Sequence, residues 1–140
     1  IKSYWQSQID LLDSRTKFIF DDLKWPILTL ASQRVPAFIY GAADVKDSLI
    51  AQGCRVFGRV SRSVLSSGVI VEKDAEVEDS ILLPRAEIEK GAKIRRAIVD
   101  AGVKLTKKKA EQAEQARGKN KNAVVVVGKN KIQSSDDLSE

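Results

Sequence analysis

Two columns of charged residues recur at fixed spacing. Asp47, Arg62, Asp79 and Arg96 alternate in sign at equivalent positions, and Lys73, Lys90 and Lys107 repeat with one sign. Opposite neighbours in the first column are expected to form surface ion pairs, worth at most about 1 kcal/mol each. The lysine column can attract an anion or simply be a solvated turn. Other chemistry is closed off. The 140 residues contain no histidine, the usual general base and commonest metal ligand. There is no glycine-rich phosphate loop, and the carboxylates show no convergent placement. The single cysteine, Cys54, cannot form an internal disulfide, which fits a reducing compartment. Its position is an inward one, where a buried and inert thiol is expected.

The elements that must carry these columns follow from a repeat over residues 45–105. Its units read VKDSLIAQGCRVFGR, VSRSVLSSGVIVEKDAE, VEDSILLPRAEIEKGAK and IRRAIVDAGVKL, and the first is two residues short. A period near seventeen, built from steps of five or six, marks a coil of short parallel strands that bury only against their neighbours. Leu65, Val71, Val77, Leu82, Ile88, Ile94, Val99 and Leu105 are the expected large inward residues. Two positions before each stand Ser63, Val69, Ala75, Ser80, Ala86, Ala92, Ala97 and Val103, on the same strand face. Gly53, Gly68, Gly91 and Gly102 fall at corners, with Asp74 and Arg85 in equivalent places. Coils of this kind that act as acyltransferases or carbonic anhydrases rely on histidine, so neither activity fits.

Leu49, Val64, Ile81 and Ile98 each precede an inward aliphatic, so strand alternation turns them outward as one apolar stripe. Such a stripe is an expected contact surface, covered by the N-terminal segment, an absent domain or a second chain. The N-terminal third supplies a candidate cover. Tyr4, Trp5, Ile9, Leu11 and Leu12 have helical spacing, ending near Asp13 and Ser14. Phe18, Ile19, Phe20, Trp25-Pro26-Ile27 and Val35-Pro36-Ala37 then read as an extended linker wrapping another surface. Much of the formal charge of +5 lies in Lys107, Lys108, Lys109, Arg117, Lys119, Lys121, Lys129 and Lys131. With no base-reading motif, nucleic acid is not an expected partner. No apolar run reaches the length of a membrane span, so neither is a membrane.

The strings IKSYWQSQIDLLD, WPILT, VPAFIY, DSLIAQGC, RSVLSSGVIV, EDSILLPRAEI and KGAKIRRAIVDAGV, in this order over about residues 1–105, resemble the C-terminal portion of the ADP-glucose pyrophosphorylases, or glucose-1-phosphate adenylyltransferases. The resemblance implies an all-β fold, a left-handed parallel β-helix of about four coils with an N-terminal helix and linker. That hand is an exception to the usual right-handed crossover. It implies a parent enzyme, cytoplasmic, that makes ADP-glucose and pyrophosphate from ATP and glucose 1-phosphate for glycogen or starch synthesis. Catalytic residues and Mg2+ are implied in an absent N-terminal nucleotidyltransferase domain. This segment is then inactive alone, holds no cofactor, and serves assembly into a homo- or hetero-oligomer, a tetramer in the family, and allosteric control by phosphorylated metabolites. By motif position, Arg62, Arg95 and Arg96 are the implied contacts for such anionic effectors, unless the ion-pair column engages Arg62 and Arg96. Some family members place an arginine where this chain has Gly68, so that contact is lost.

The expected organisation is a helix and linker over 1–40, the β-helix over 41–106, a polar basic insertion over 107–123, and a terminal strand with a disordered tail over 124–140. The insertion TKKKAEQAEQARGKNKN stands where the family continues the coil with a proline-glycine turn and an acidic stretch. Val124 to Val127 are expected to form a strand closing the prism, with a turn at Gly128. Two alternatives stay open: the β-helix of a related sugar-nucleotide pyrophosphorylase, such as a mannose-1-phosphate guanylyltransferase, or that of a non-catalytic regulatory homologue.

Overall fold

A computed structural model describes residues 1–13, 24 and 35–138. The segments around Phe18 and Trp25 singled out above lie outside the described residues.

Short strands succeed one another around a three-sided prism. The first sheet stacks β1 (Phe38–Ile39), β4 (Arg55–Val56), β7 (Ile70–Val71), β10 (Glu87–Ile88) and β13 (Lys104–Leu105) in that order. The second stacks β2 (Asp44–Lys46), β5 (Arg59–Ser61), β8 (Glu76–Glu78) and β11 (Lys93–Arg95). The third stacks β3 (Leu49–Ile50), β6 (Val64–Leu65), β9 (Ile81–Leu82), β12 (Ala97–Val99) and β14 (Val125–Val127), and ends with β15 (Ile132–Ser134). All pairings are parallel except β14 with β15. Strands this short bury little alone, so stability comes from stacking like residues on like.

Registers reproduce the period. Phe38 pairs with Arg55, Ile70 with Glu87 and Glu87 with Lys104, each 17 residues on, whereas Arg55 pairs with Ile70 only 15 residues on. The two-residue deficit lies at the corner Phe57-Gly58. All sixteen residues expected to point inward are buried, none more than 2% exposed. Each large aliphatic contributes about 1.5–3 kcal/mol relative to full exposure. Cys54 is also fully buried, its thiol donating to the Ser66 carbonyl oxygen at 3.1 Å.

The three corners differ. Gly53, Gly68, Arg85 and Gly102 occupy one with φ between 62° and 77°, and Asp74 and Gly91 occupy the next with φ 60° and 69°. At the third, Asp47, Arg62, Asp79 and Arg96 all have φ of 44–47°, although none is glycine. A side chain in this left-handed region costs of order 1–3 kcal/mol. An internal hydroxyl ladder opposes that cost. Ser48 Oγ accepts from Ser63 N at 3.1 Å, Ser63 Oγ from Ser80 N at 3.1 Å, and Ser80 Oγ from Ala97 N at 3.2 Å. Each hydroxyl also donates to the carbonyl two residues earlier, at 2.7 Å. Ser63 and Ser80 are thus fully buried yet satisfied.

Two helices flank the prism. Helix α1 (Lys2–Asp10) ends sooner than its apolar spacing suggests, and Leu11 and Leu12 follow in a turn. Helix α2 (Lys107–Arg117) lies between β13 and β14, where a fifth strand of the second sheet would come, and packs on β11, β14 and β15. Thr106 caps it, its Oγ1 accepting from Lys109 N at 3.3 Å, and Gly118 ends it at φ 61°. Ala110, Ala113 and Arg117, at helical spacing, are its buried face. Within the stretch expected to be a disordered tail, β15 pairs antiparallel with β14, and a 3-10 turn follows over Ser135–Leu138.

Candidate functional site

The outward stripe stacks in register: Leu49 on Val64, Val64 on Ile81, Ile81 on Ile98, and Ile98 on Val126, a fifth member. Helix α1 lies on its C-terminal half. Trp5 and Ile9 pack with Ile81, Ile98 and Val124, beside Leu12, Leu83 and Val126. Ile81 and Ile98 are 1% and 7% exposed, whereas Val64 is half-buried and Leu49 is 42% exposed. Apolar contact alone would leave the Trp5 N–H unsatisfied. It donates to the main-chain oxygen of Asp79 at 2.7 Å, and the Arg96 guanidinium stacks over the indole at 4.2 Å.

The charged corner column is therefore divided between two tasks. Arg62 Nε donates to Asp79 Oδ1 at 2.7 Å, and that bond, with the charge of Asp79, raises the Arg62 pKa. Arg96 departs from the expected ladder. Its Nη2 donates to the Asn122 carbonyl at 3.3 Å, while its Nε is buried without a partner among the described residues. The departure follows from Trp5, whose ring occupies the face of the guanidinium. A fuller ladder runs on the second sheet, where Arg59 lies 4.0 Å from Asp44 and 3.5 Å from Glu76, and Lys93 lies 3.0 Å from Glu76. In the lysine column, Lys90 lies 4.0 Å from Asp74.

Of the three arginines singled out, the structure brings Arg62 and Arg96 under α1 and sets Arg95 apart. Arg62 shares a small recess with Gln6, Asp10, Asp13 and Asp47, an acidic surrounding. The exposed Arg95 lines a groove of about 730 Å³ between the second sheet and α2, with Arg59, Lys93, Lys121, Glu76 and Glu78. Arg117 closes one side of that groove. It is 7% exposed, donates from Nη1 to both oxygens of Glu114 at 2.9 Å, and bonds the Arg95 carbonyl through Nη2. Burial lowers its pKa against the opposing pull of Glu114. Its role is structural: β11 is the last strand of its sheet, and Arg117 satisfies an edge carbonyl that a further strand would have met.

Sequence reasoning missed a second basic recess, lined by Lys109, Lys129, Lys131, Gln112 and Asn130, with a volume of about 340 Å³. Lys109 Nζ donates there to the Lys129 carbonyl at 3.3 Å. The lysines were visible as a run, but only the turn between β14 and β15 brings them to the start of α2. Among the described residues, no group of three or more His, Cys, Asp or Glu is placed to hold a metal ion, and no helix is long and apolar enough to cross a membrane.

Stacked coils of five- and six-residue steps, with small and branched side chains alternating inward, define a hexapeptide-repeat β-solenoid. The chain belongs to the GlmU-like, C-terminal hexapeptide family, whose pattern it matches over residues 40–128. It is similar to the glucose-1-phosphate adenylyltransferase of Bacillus mycoides (strain KBAB4), at 39% identity over 90 residues, 64% of this chain and 24% of that protein. It is also similar to the protein of the same name from Clostridioides difficile (strain 630), at 40% identity over 84 residues, 60% of this chain and 22% of that protein. The chain thus spans about a quarter of the length of the curated relatives it matches.

Proposed function

We propose that this chain is the assembly and regulatory part of a glucose-1-phosphate adenylyltransferase. The whole protein would act in the cytoplasm, joining ATP and glucose 1-phosphate to give ADP-glucose and pyrophosphate for glycogen or starch synthesis. The observation that carries the reading is 39% identity over 90 residues with relatives of that name. The lack of any histidine supports a stretch that does not catalyse by itself. Catalysis and its Mg2+ belong to the nucleotidyltransferase part, and the stiff solenoid serves subunit contacts in a homo- or hetero-oligomer.

A phosphorylated metabolite is the proposed effector. Arg62 is engaged by Asp79, and Arg96 by Trp5 and Asn122. Arg95, exposed in its groove beside Arg59, Lys93 and Lys121, is therefore the member of the three best placed to meet a phosphate. The test is pyrophosphate release by the full-length protein from ATP and glucose 1-phosphate, with and without a sugar phosphate and any genomic partner chain. Turnover that the sugar phosphate changes, and that Arg95→Ala makes unresponsive, is expected. No turnover in any combination removes the enzymatic reading, and turnover only with GTP and mannose 1-phosphate replaces it with the guanylyltransferase.

A further inference from the structure

The first helix and the C-terminal cap converge on one corner of the last full coil. The Arg96 guanidinium is held between the Trp5 indole of α1 and the Asn122 carbonyl, in the loop that follows α2. The main chain of the same corner holds the cap from below: Arg95 O accepts from Arg117 of α2, and Arg96 O accepts from Val125 N of β14 at 3.1 Å. The corner backbone is in the left-handed region, with Arg96 at φ 44°. Among the described residues Arg96 Nε is buried and unpartnered, so the guanidinium sits where its two neighbours hold it and not where its own hydrogen bonds would be complete. The cap is itself lightly anchored, since apart from Arg117 its buried face is alanine.

We infer that α1 and the α2 cap are energetically coupled through the Arg95–Arg96 corner. Release of α1 frees the guanidinium to turn towards better partners, the Asn122 carbonyl loses its donor, and the loop adjoining Arg117 loosens. Release of α2 removes the same clasp from the other side and weakens the seat of Trp5. The inference stands on this geometry alone and is independent of which reaction the whole protein performs. Coupling of this kind is reciprocal: each helix must loosen the other by the same factor.

Hydrogen exchange of the full chain, read by mass spectrometry or NMR, tests it. Trp5→Phe and Arg96→Lys should each speed exchange of the α2 amides Ala113–Arg117 by about fivefold or more. Arg117→Met should speed exchange of the α1 amides Gln6–Asp10 by a similar factor. The amides of Val71, Val77 and Ile88, in the coils below, should hold their rates and report that the prism is intact. Variants that loosen only their own helix, or a response in one direction only, overturn the inference. If Trp5→Phe also speeds core exchange, the milder Arg96→Lys decides by the same criterion.

Discussion

Gly58 lies directly against the main-chain oxygen of Ala75 in the next coil. A Cβ at Gly58 would stand 2.5 Å from that oxygen and 2.6 Å from Glu72 O. This is the corner shortened by two residues, so the tight approach is what the deficit demands. Gly58→Ala is expected to destabilise by about 3 kcal/mol or more, because both obstacles are backbone. Gly102→Ala is the control: φ there is +66°, but a Cβ meets nothing within 4 Å. Its cost should be only the left-handed strain, about 1–2 kcal/mol. Urea denaturation of the two variants checks the order.

The hydroxyl ladder predicts a graded series. Ser80→Ala leaves the Ala97 N–H without its acceptor, and Ser63→Ala does the same to the Ser80 N–H, both fully buried. Each should cost about 1–3 kcal/mol. Ser48 lies half-buried in the first coil, where water can replace the hydroxyl, so Ser48→Ala should cost less than either. Equal losses at all three positions would refute the ladder as the cause.

Removing the indole should unseat α1. Trp5 is 2% exposed and combines an apolar contact with a hydrogen bond, so Trp5→Ala is expected to cost about 3–5 kcal/mol. Ile81 and Ile98 would then be uncovered, and binding of a hydrophobic dye should rise while the far-ultraviolet signal of the strands persists.

The alkaline edge of stability has an identifiable contributor. Lys104 Nζ lies 2.8 Å from Glu87 Oε1, and that hydrogen bond, with the charge of Glu87, raises the lysine pKa. A folded-state pKa above the unfolded one contributes stability that is complete below the unfolded value, about 10.4 for lysine, and fades as pH rises through the folded value. Lys104→Met should therefore lower the melting temperature slightly at neutral pH and flatten its decline at high pH. Thermal melts across the alkaline range give the comparison.

Legibility in the sequence followed the range of the interactions. The prism could be read because its core is written in period, and Leu65, Leu82 and Val99 stack on one another through neighbouring coils. Asp74 and Arg85 stand at corners where glycine recurs, and they take the same left-handed φ as the glycines they align with. What escaped was set by contacts between distant segments. The ion-pair column was the natural reading of Asp79 and Arg96 until Trp5, from far earlier in the chain, took the arginine's face. The run KKKAEQAEQAR reads as polar and either helical or mobile; that it forms a helix standing in for a strand is set by the exposed edge of β11.

The reversal of β15 reaches beyond the single chain. A column of parallel strands offers its last rung as a template on which another copy could add in register, and repeated addition would give a filament. With β15 running against β14, the hydrogen-bond spacing at the rim changes from the slanted parallel pattern to the antiparallel one. β14, the last parallel rung, therefore keeps no open edge, its outer side being paired within the chain.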